Sequence, residues 1–356
     1  MMPSARRDNL CRRATAAVFA AVLGLFGTTA RADVHGPDFG PSAIVFTYQR
    51  FGDDQFPATS IRLEQFEAHL EELTTGGYTV LPLPEIVEAV AARRPLPDRA
   101  VALTIGGNHR SVYDEAFPRL QKAGLPFTLF IASDFVDGGG PSALGWREIR
   151  AMAQAGATIG SLGASHPHVL ALTPEQYAAD VDRSLARIQA ETGTRPTLFA
   201  YPYGEVTPAV RAAVAILGLK AAFGEQSGVV HPGADPYMLP RFALNEAFGS
   251  IERFRLAADS LPLPVSEVTP EDPVIRAANP PPVGFTVDPA LESLEGLACF
   301  VSGQGRVEVD RLDSRIEVRL NEPLPPGRSR LNCTLPAGEG RWRWFGYQFV
   351  VPEAAP

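Results

Sequence analysis

The sequence predicts an α/β chain in two parts, a barrel of parallel strands followed by a small, sandwich-like, all-β domain. Two observations carry this. From Ala43 to about Phe223, short apolar runs alternate with segments of helical periodicity. Such alternation implies parallel strands wrapped by helices. A closed barrel is the first arrangement, an open doubly wound sheet the second. Beyond residue 284 the pattern changes to runs in which polar and apolar residues alternate, separated by turn residues, as in an antiparallel sheet.

In order, the strands of the first part are expected in "AIVFTY", "YTVL", "AVALTI", "FTLFIA", "ATIGS", "TLFAY" and "KAAF". Helices are expected in "RLEQFEAHLEELTTGG", "LPEIVEAVAAR", "SVYDEAFPRLQKAG", "WREIRAMAQAG" and "TPEQYAADVDRSLARIQAETG". Gly76, Gly124, Gly156 and Gly193 suit helix C-caps. Thr173, Pro174 and Gln176 give an N-cap, a first-turn proline and a partial capping box. Residues 260–284 are proline-rich and read as a linker between a barrel at 33–259 and a β-domain at 285–352. The latter's strands are expected in "LACFVSG", "RVEVDRL", "RIEVRLN", "RSRLNCTLP" and "RWRWFGYQFVV".

Residues 1–32 read as a secretory signal peptide. Arg6, Arg7, Arg12 and Arg13 precede the apolar "ATAAVFAAVLGLFG", and Ala30 to Ala32 offer a small-x-small cleavage site. An uncleaved anchor is the alternative. No other stretch is apolar enough to span a membrane, and the expected location is secreted or periplasmic. The chain has 32 basic and 40 acidic side chains, a net charge of −8. Removing 1–32 takes away five arginines and one Asp, leaving 27 and 39, a net −12. Nucleic acid and anionic membranes select basic surfaces, so both are excluded as partners. Cys11 leaves with the signal, and Cys299 and Cys333 remain as an expected disulfide. Two buried free thiols are the alternative.

The segments "TIGGNHRSVYDEAF", "IGSLGASHPHVLAL" and "FAYPYGEVTPAV" resemble three ordered motifs of the polysaccharide deacetylases, the NodB-homology family. "IVFTYQRFG" and "RLEQFEAHLEEL" are similar to the branch that includes the poly-N-acetylglucosamine deacetylases. The likeness spans roughly residues 43–250. It implies a distorted (β/α) barrel with its site at the C-terminal strand ends. It also implies hydrolysis of an N-acetyl group by a zinc-activated water. In that family one Asp is the base, a second Asp and two His hold the metal, and a later His protonates the leaving amine.

Against the family's first motif, Thr-Phe-Asp-Asp, this chain has Thr104, Ile105, Gly106 and Gly107. Gly106 stands for the base and Gly107 for the metal Asp. In the second motif Leu162 takes the first His position, while His166, Pro167 and His168 match. The first strand ends Tyr48, Gln49 where the family has Tyr-His. No His follows His231 to serve as the late acid. The third motif persists in Arg195, Pro196, Tyr201, Pro202, Tyr203 and Gly204, and Arg241 matches the family's structural Arg. By resemblance, His166, Tyr201, Tyr203 and Arg241 would contact substrate.

Glycine offers neither base nor ligand, and leucine cannot bind zinc. The expectation is therefore an inactive homologue with no cofactor. It would bind an N-acetylated polysaccharide or oligosaccharide, or an envelope protein. The alternative is an active metal-dependent carbohydrate N-deacetylase. Its zinc would be held by His109, His166 and His168, with Asp53 or Asp54 at the same barrel face. Against that, His109 would cap the following helix, His168 would face solvent and the Asp pair would sit in a solvated loop. A structural envelope protein acting through its β-domain is a third class. Trp342 and Trp344 share one face of the last strand. They are read as sandwich core facing the disulfide, or else as an exposed glycan platform. No Gly-x-Ser-x-Gly elbow appears, and Gly138 to Gly140 lack the Lys-Ser/Thr of a phosphate loop.

Overall fold

All five side chains of the strand Ile44–Tyr48 are buried. Only a strand covered on both faces can carry such a run. The computed structural model describes residues 37–353, so the expected signal peptide lies outside the described residues. Ile44–Tyr48 pairs in parallel with Ala100–Gly106, Thr47 opposite Thr104. The sheet continues, parallel throughout, through Thr128–Ile131, Thr158–Ser161, Leu198–Ala200 and Ala221–Phe223. Phe242–Ala243 flanks the first strand on its other side. Just before it, Leu239 bridges in parallel to Phe223, bringing the last strand's edge round to the first.

The expected strands are therefore present, and the parallel sheet curls into the predicted barrel. Its inner face packs Val45, Ala102, Phe130, Ala200 and Phe223 against one another. The alternate residues Phe46, Leu103 and Leu129 pack outward under the helices. Helices at Leu63–Thr75, Leu83–Ala91, Trp146–Gln154 and Pro174–Thr192 fall where periodicity placed them. The Thr173 capping box forms, its hydroxyl accepting from the Gln176 N–H. Gly124 and Gly193 are left-handed C-caps, but Gly76 caps with φ −85° and Ala155 takes the place expected of Gly156.

The proline-rich stretch is built into the second sheet instead of hanging as a linker. Leu261–Pro262 pairs with Trp342–Val351, and Val265–Thr269 pairs with Val283–Val287. Both short strands lie at the two ends of an eight-stranded sheet. Prolines are tolerated there because an edge strand leaves one row of N–H groups unused. This sheet also curls. Phe285 and Phe345, on strands far apart in its order, meet with ring centroids 4.9 Å apart. Cys299 and Cys333 sit directly opposite on paired strands and form the expected disulfide, Cα atoms 4.1 Å apart.

The described residues belong to one compact unit, so barrel and β-domain are packed together. Here one expectation is corrected. Trp344 does not face the disulfide. Its neighbour Phe345 does, being paired with Cys333, and successive strand residues point to opposite faces. Trp344 packs edge-on to Phe242 of the barrel, centroids 5.2 Å apart, and its indole N–H donates to Asn332. Gly346 explains how closely the parts approach, since a Cβ there would lie 2.0 Å from the Ser227 carbonyl oxygen.

Candidate functional site

A cavity of about 1030 Å³ opens at the C-terminal ends of the barrel strands. Its inner wall holds Gly106, Gly107 and Leu162, the three positions that resemblance marks as lost chemistry. The two glycines differ physically. A side chain at Gly106 would meet open space, its Cβ having only the Tyr48 carbonyl oxygen at 4.0 Å. Gly107 has φ +106°, which L side chains rarely adopt, and its Cβ would lie 3.1 Å from the His109 ring. Leu162 is buried in the inner core beside Ala132 and Phe130.

Asn108, unremarked in the sequence, fixes this loop. Its side-chain amide donates to the Ala132 carbonyl at 2.7 Å and its carbonyl accepts from the Ala132 N–H at 3.0 Å. Buried Asp180 does the same for the second loop, accepting from the N–H groups of Ala164 and Ser165. His166 follows with φ +53° and packs edge-on against Tyr203, centroids 4.6 Å apart. His109 and His166 both line the cavity. Burial pushes the His109 pKa down to about 4, with Arg50 adding to the effect, and burial lowers that of His166 too. His168 turns away. Its ring lies parallel to Tyr203 at 4.0 Å, and Nδ1 meets the buried Glu205 carboxylate at 3.0 Å.

A catalytic zinc needs three convergent protein donors. Two imidazoles face this cavity, the third is held by Glu205, and Asp53 accepts from Arg50 at 3.1 Å. Asp54 is not among the lining residues. Among the described residues no group of three His, Cys, Asp or Glu is arranged to hold a metal. The residues present do not fit a zinc centre. His109 does help the following helix, but through its backbone carbonyl, which accepts from the Val112 N–H, while its ring remains in the cavity wall.

Tyr201 is a second correction. It was expected to touch substrate, but it is fully buried behind the cavity and its hydroxyl donates to the Tyr237 carbonyl. Tyr201 and Tyr203 would share a face only in an extended strand. Here the tight turn Pro202–Gly204, with Tyr203 at φ +58°, swings Tyr203 alone into the cavity. Arg241, by contrast, lines the cavity. It is 2% exposed, its Nε donates to the Gly224 carbonyl at 2.9 Å, and its guanidinium lies 5.5 Å from the Phe130 ring. Burial lowers its pKa to about 10, so it stays charged at neutral pH.

The outer rim comes from the β-domain, which sequence reasoning missed. Arg328 reaches over the Tyr203 ring at 5.0 Å, and Arg330 pairs with Glu225 at 3.0 Å. The Gln348 side-chain amide donates to the Tyr203 carbonyl at 3.0 Å. Alternation along Gly327–Pro336 shows two faces in the sequence, but nothing linear says which one meets the barrel.

Residues 93–222 match the family model described as polysaccharide deacetylase. YxkH of Bacillus subtilis (strain 168) is 24% identical over 192 residues, 52% of this chain and 68% of its own length. The poly-beta-1,6-N-acetyl-D-glucosamine N-deacetylase of Staphylococcus epidermidis is 23% identical over 213 residues, 56% of this chain and 73% of its own. Among solved structures, the Streptococcus pyogenes deacetylase PplD in complex with acetate superposes with a TM-score of 0.58 at 17% identity. It covers 62% of this chain and 99% of that one, a likeness of fold.

Proposed function

Starting from a chain that carries a polysaccharide deacetylase domain, we propose that it binds an N-acetylated glycan without hydrolysing it. One observation carries this reading. A cavity large enough for a glycan segment persists at the barrel mouth, while Gly106, Gly107 and Leu162 supply neither base nor ligand. Amide hydrolysis without metal or general base has no nucleophile at neutral pH. His109 and His166 are held towards the neutral form by burial, which outweighs the opposing pull of the Asp53 and Glu225 carboxylates. Binding should be metal-independent, and the apolar signal-like N-terminus supports action outside the cytoplasm. Affinity should be modest, around millimolar per site, because ring contacts and a few polar groups supply only about 4 kcal/mol.

The test is direct. The purified protein is assayed for zinc, then for acetate release from N-acetylglucosamine oligomers, then titrated with the same oligomers with and without chelator. Binding without zinc, turnover or chelator effect is expected, weakened by Tyr203→Ala. Stoichiometric zinc lost in His166→Ala, together with acetate release, would establish the rearranged active site instead. No perturbation by any oligomer at millimolar concentration would remove the glycan reading.

A further inference from the structure

The charged side chains lining the cavity are Arg50, Arg241, Arg328 and Arg330 against Asp53 and Glu225. Both carboxylates are already taken, Asp53 by Arg50 and Glu225 by Arg330. Arg241 and Arg328 are left without an ion-pair partner among the described residues. The wall of this cleft is thus doubly positive in a chain whose net charge is −8.

Arg241 is the more telling of the two. A guanidinium stripped of water is costly unless an anion meets it. Its hydrogen bonds go to a carbonyl, Gly224, and a hydroxyl, Thr47 Oγ1 at 3.3 Å, neither of which carries charge. It lies over Phe130, and Phe130 is the residue paired with Gly106 in the neighbouring strand. Arg241 and the open Cβ site of Gly106 thus belong to one cavity wall, linked through Phe130.

We infer that the cleft takes a carboxylate-bearing glycan, a uronic-acid residue of which docks its carboxylate between Arg241 and the space at Gly106, with Arg328 at the rim. This rests on the glycan-binding reading and narrows it to a ligand class. The planar guanidinium fork suits a carboxylate, which is flat and singly charged. The volume of about 1030 Å³ far exceeds what an isolated acetate would fill, and Arg328 over Tyr203 extends the positive wall toward solvent for further units of the chain. The overall negative charge repels a polyanion at long range, so recognition is local and confined to the cleft.

The experiment titrates the full chain with three probes: a tetrasaccharide alternating glucuronate with N-acetylglucosamine, a tetramer of N-acetylglucosamine, and sodium acetate. The uronate oligomer should bind at least tenfold more tightly than the neutral tetramer at low salt, and the advantage should shrink in 0.5 M NaCl. Gly106→Asp fills the space with the protein's own carboxylate and should abolish the advantage. Gly106→Asn, of the same shape but uncharged, should lose the advantage as well, because its side chain occupies the space the uronate carboxylate takes. Arg328→Gln, at the exposed rim, should reduce it severalfold whatever happens to the inner variants. Equal binding of neutral and uronate oligomers overturns the inference while leaving glycan binding intact. Failure of both oligomers overturns both. An advantage undiminished in the Gly106→Asn variant, or acetate binding as tightly as the uronate oligomer, also overturns it.

Discussion

Replacing Gly107 by alanine should destabilise the protein, while the same change one residue earlier should not. The cost at Gly107 has two sources. Its φ of +106° lies where a Cβ is strained, worth about 1–3 kcal/mol. Its Cβ would also press on the His109 ring at 3.1 Å, a contact that must yield by a few tenths of an ångström. At Gly106 the backbone belongs to the regular strand Ala100–Gly106 and the Cβ site is open. Alanine there restricts the unfolded chain and should gain about 0.4–1 kcal/mol. The two effects have opposite signs, so the variants should differ by roughly 1.5–4 kcal/mol, with Gly107→Ala the less stable. Urea unfolding followed by circular dichroism measures this against linear extrapolation, whose error of about 10–15% is smaller than the expected gap for a stable protein. Coincident midpoints for the two variants would refute the backbone reasoning.

Two further outcomes follow from the same structure. The Cys299–Cys333 bridge closes a 34-residue separation, for which chain entropy gives about 3–4 kcal/mol. Reduction should lower stability by that order and also weaken uronate binding, because Cys333 shares the strand Gly327–Pro336 with Arg328 and Arg330. Peptide mapping that finds both thiols free, or unchanged binding after reduction, would contradict this. The second outcome concerns acid. His69 is fully buried, bonded to the Tyr48 hydroxyl at 3.1 Å and the Gly249 carbonyl at 2.9 Å, and burial lowers its pKa from 6.5 to about 4. Between those values the unfolded chain takes up a proton that the folded one refuses. Stability from this residue is complete above about pH 6.5 and drains away as pH falls towards 4, a loss of about 2 kcal/mol between pH 7 and pH 5. Unfolding midpoints at the two pH values should show it, with a shallower slope in His69→Gln. A wild-type profile flat across that range would rule it out.

Much of the barrel was legible because its strands are buried on both faces. "AVALTI" and "FTLFIA" read as continuous apolar runs, and Thr173 announces its helix by local chemistry alone. The cleft was legible in the positions that resemblance singled out, and Gly106, Leu162, His166, Tyr203 and Arg241 do share one cavity. Three things were hidden. Tyr201 and Tyr203 look equivalent at spacing two, and only the left-handed backbone at Tyr203 separates them. Prolines at 262, 264 and 270 suggested a linker, because sequence does not say that the strands they bracket lie at a sheet's edge. The face choice of Trp344 and Arg328 depends on docking between the chain's two parts, which has no local signature.

The late arrival of Arg328 and Arg330 gives the chain a particular biogenesis. Residues 93–222, which match the family model, precede Arg328 and Arg330 by more than a hundred residues. The rim of the cleft is therefore synthesised well after that segment. A product that stops short of Arg328 would lack half of the cleft's guanidinium groups and the Trp344 cover of Phe242. Fragments cut where the prolines suggest a boundary would inherit that defect. The segment that carries the family likeness and the side chains that complete the cleft wall lie far apart in the chain, and the second is made last.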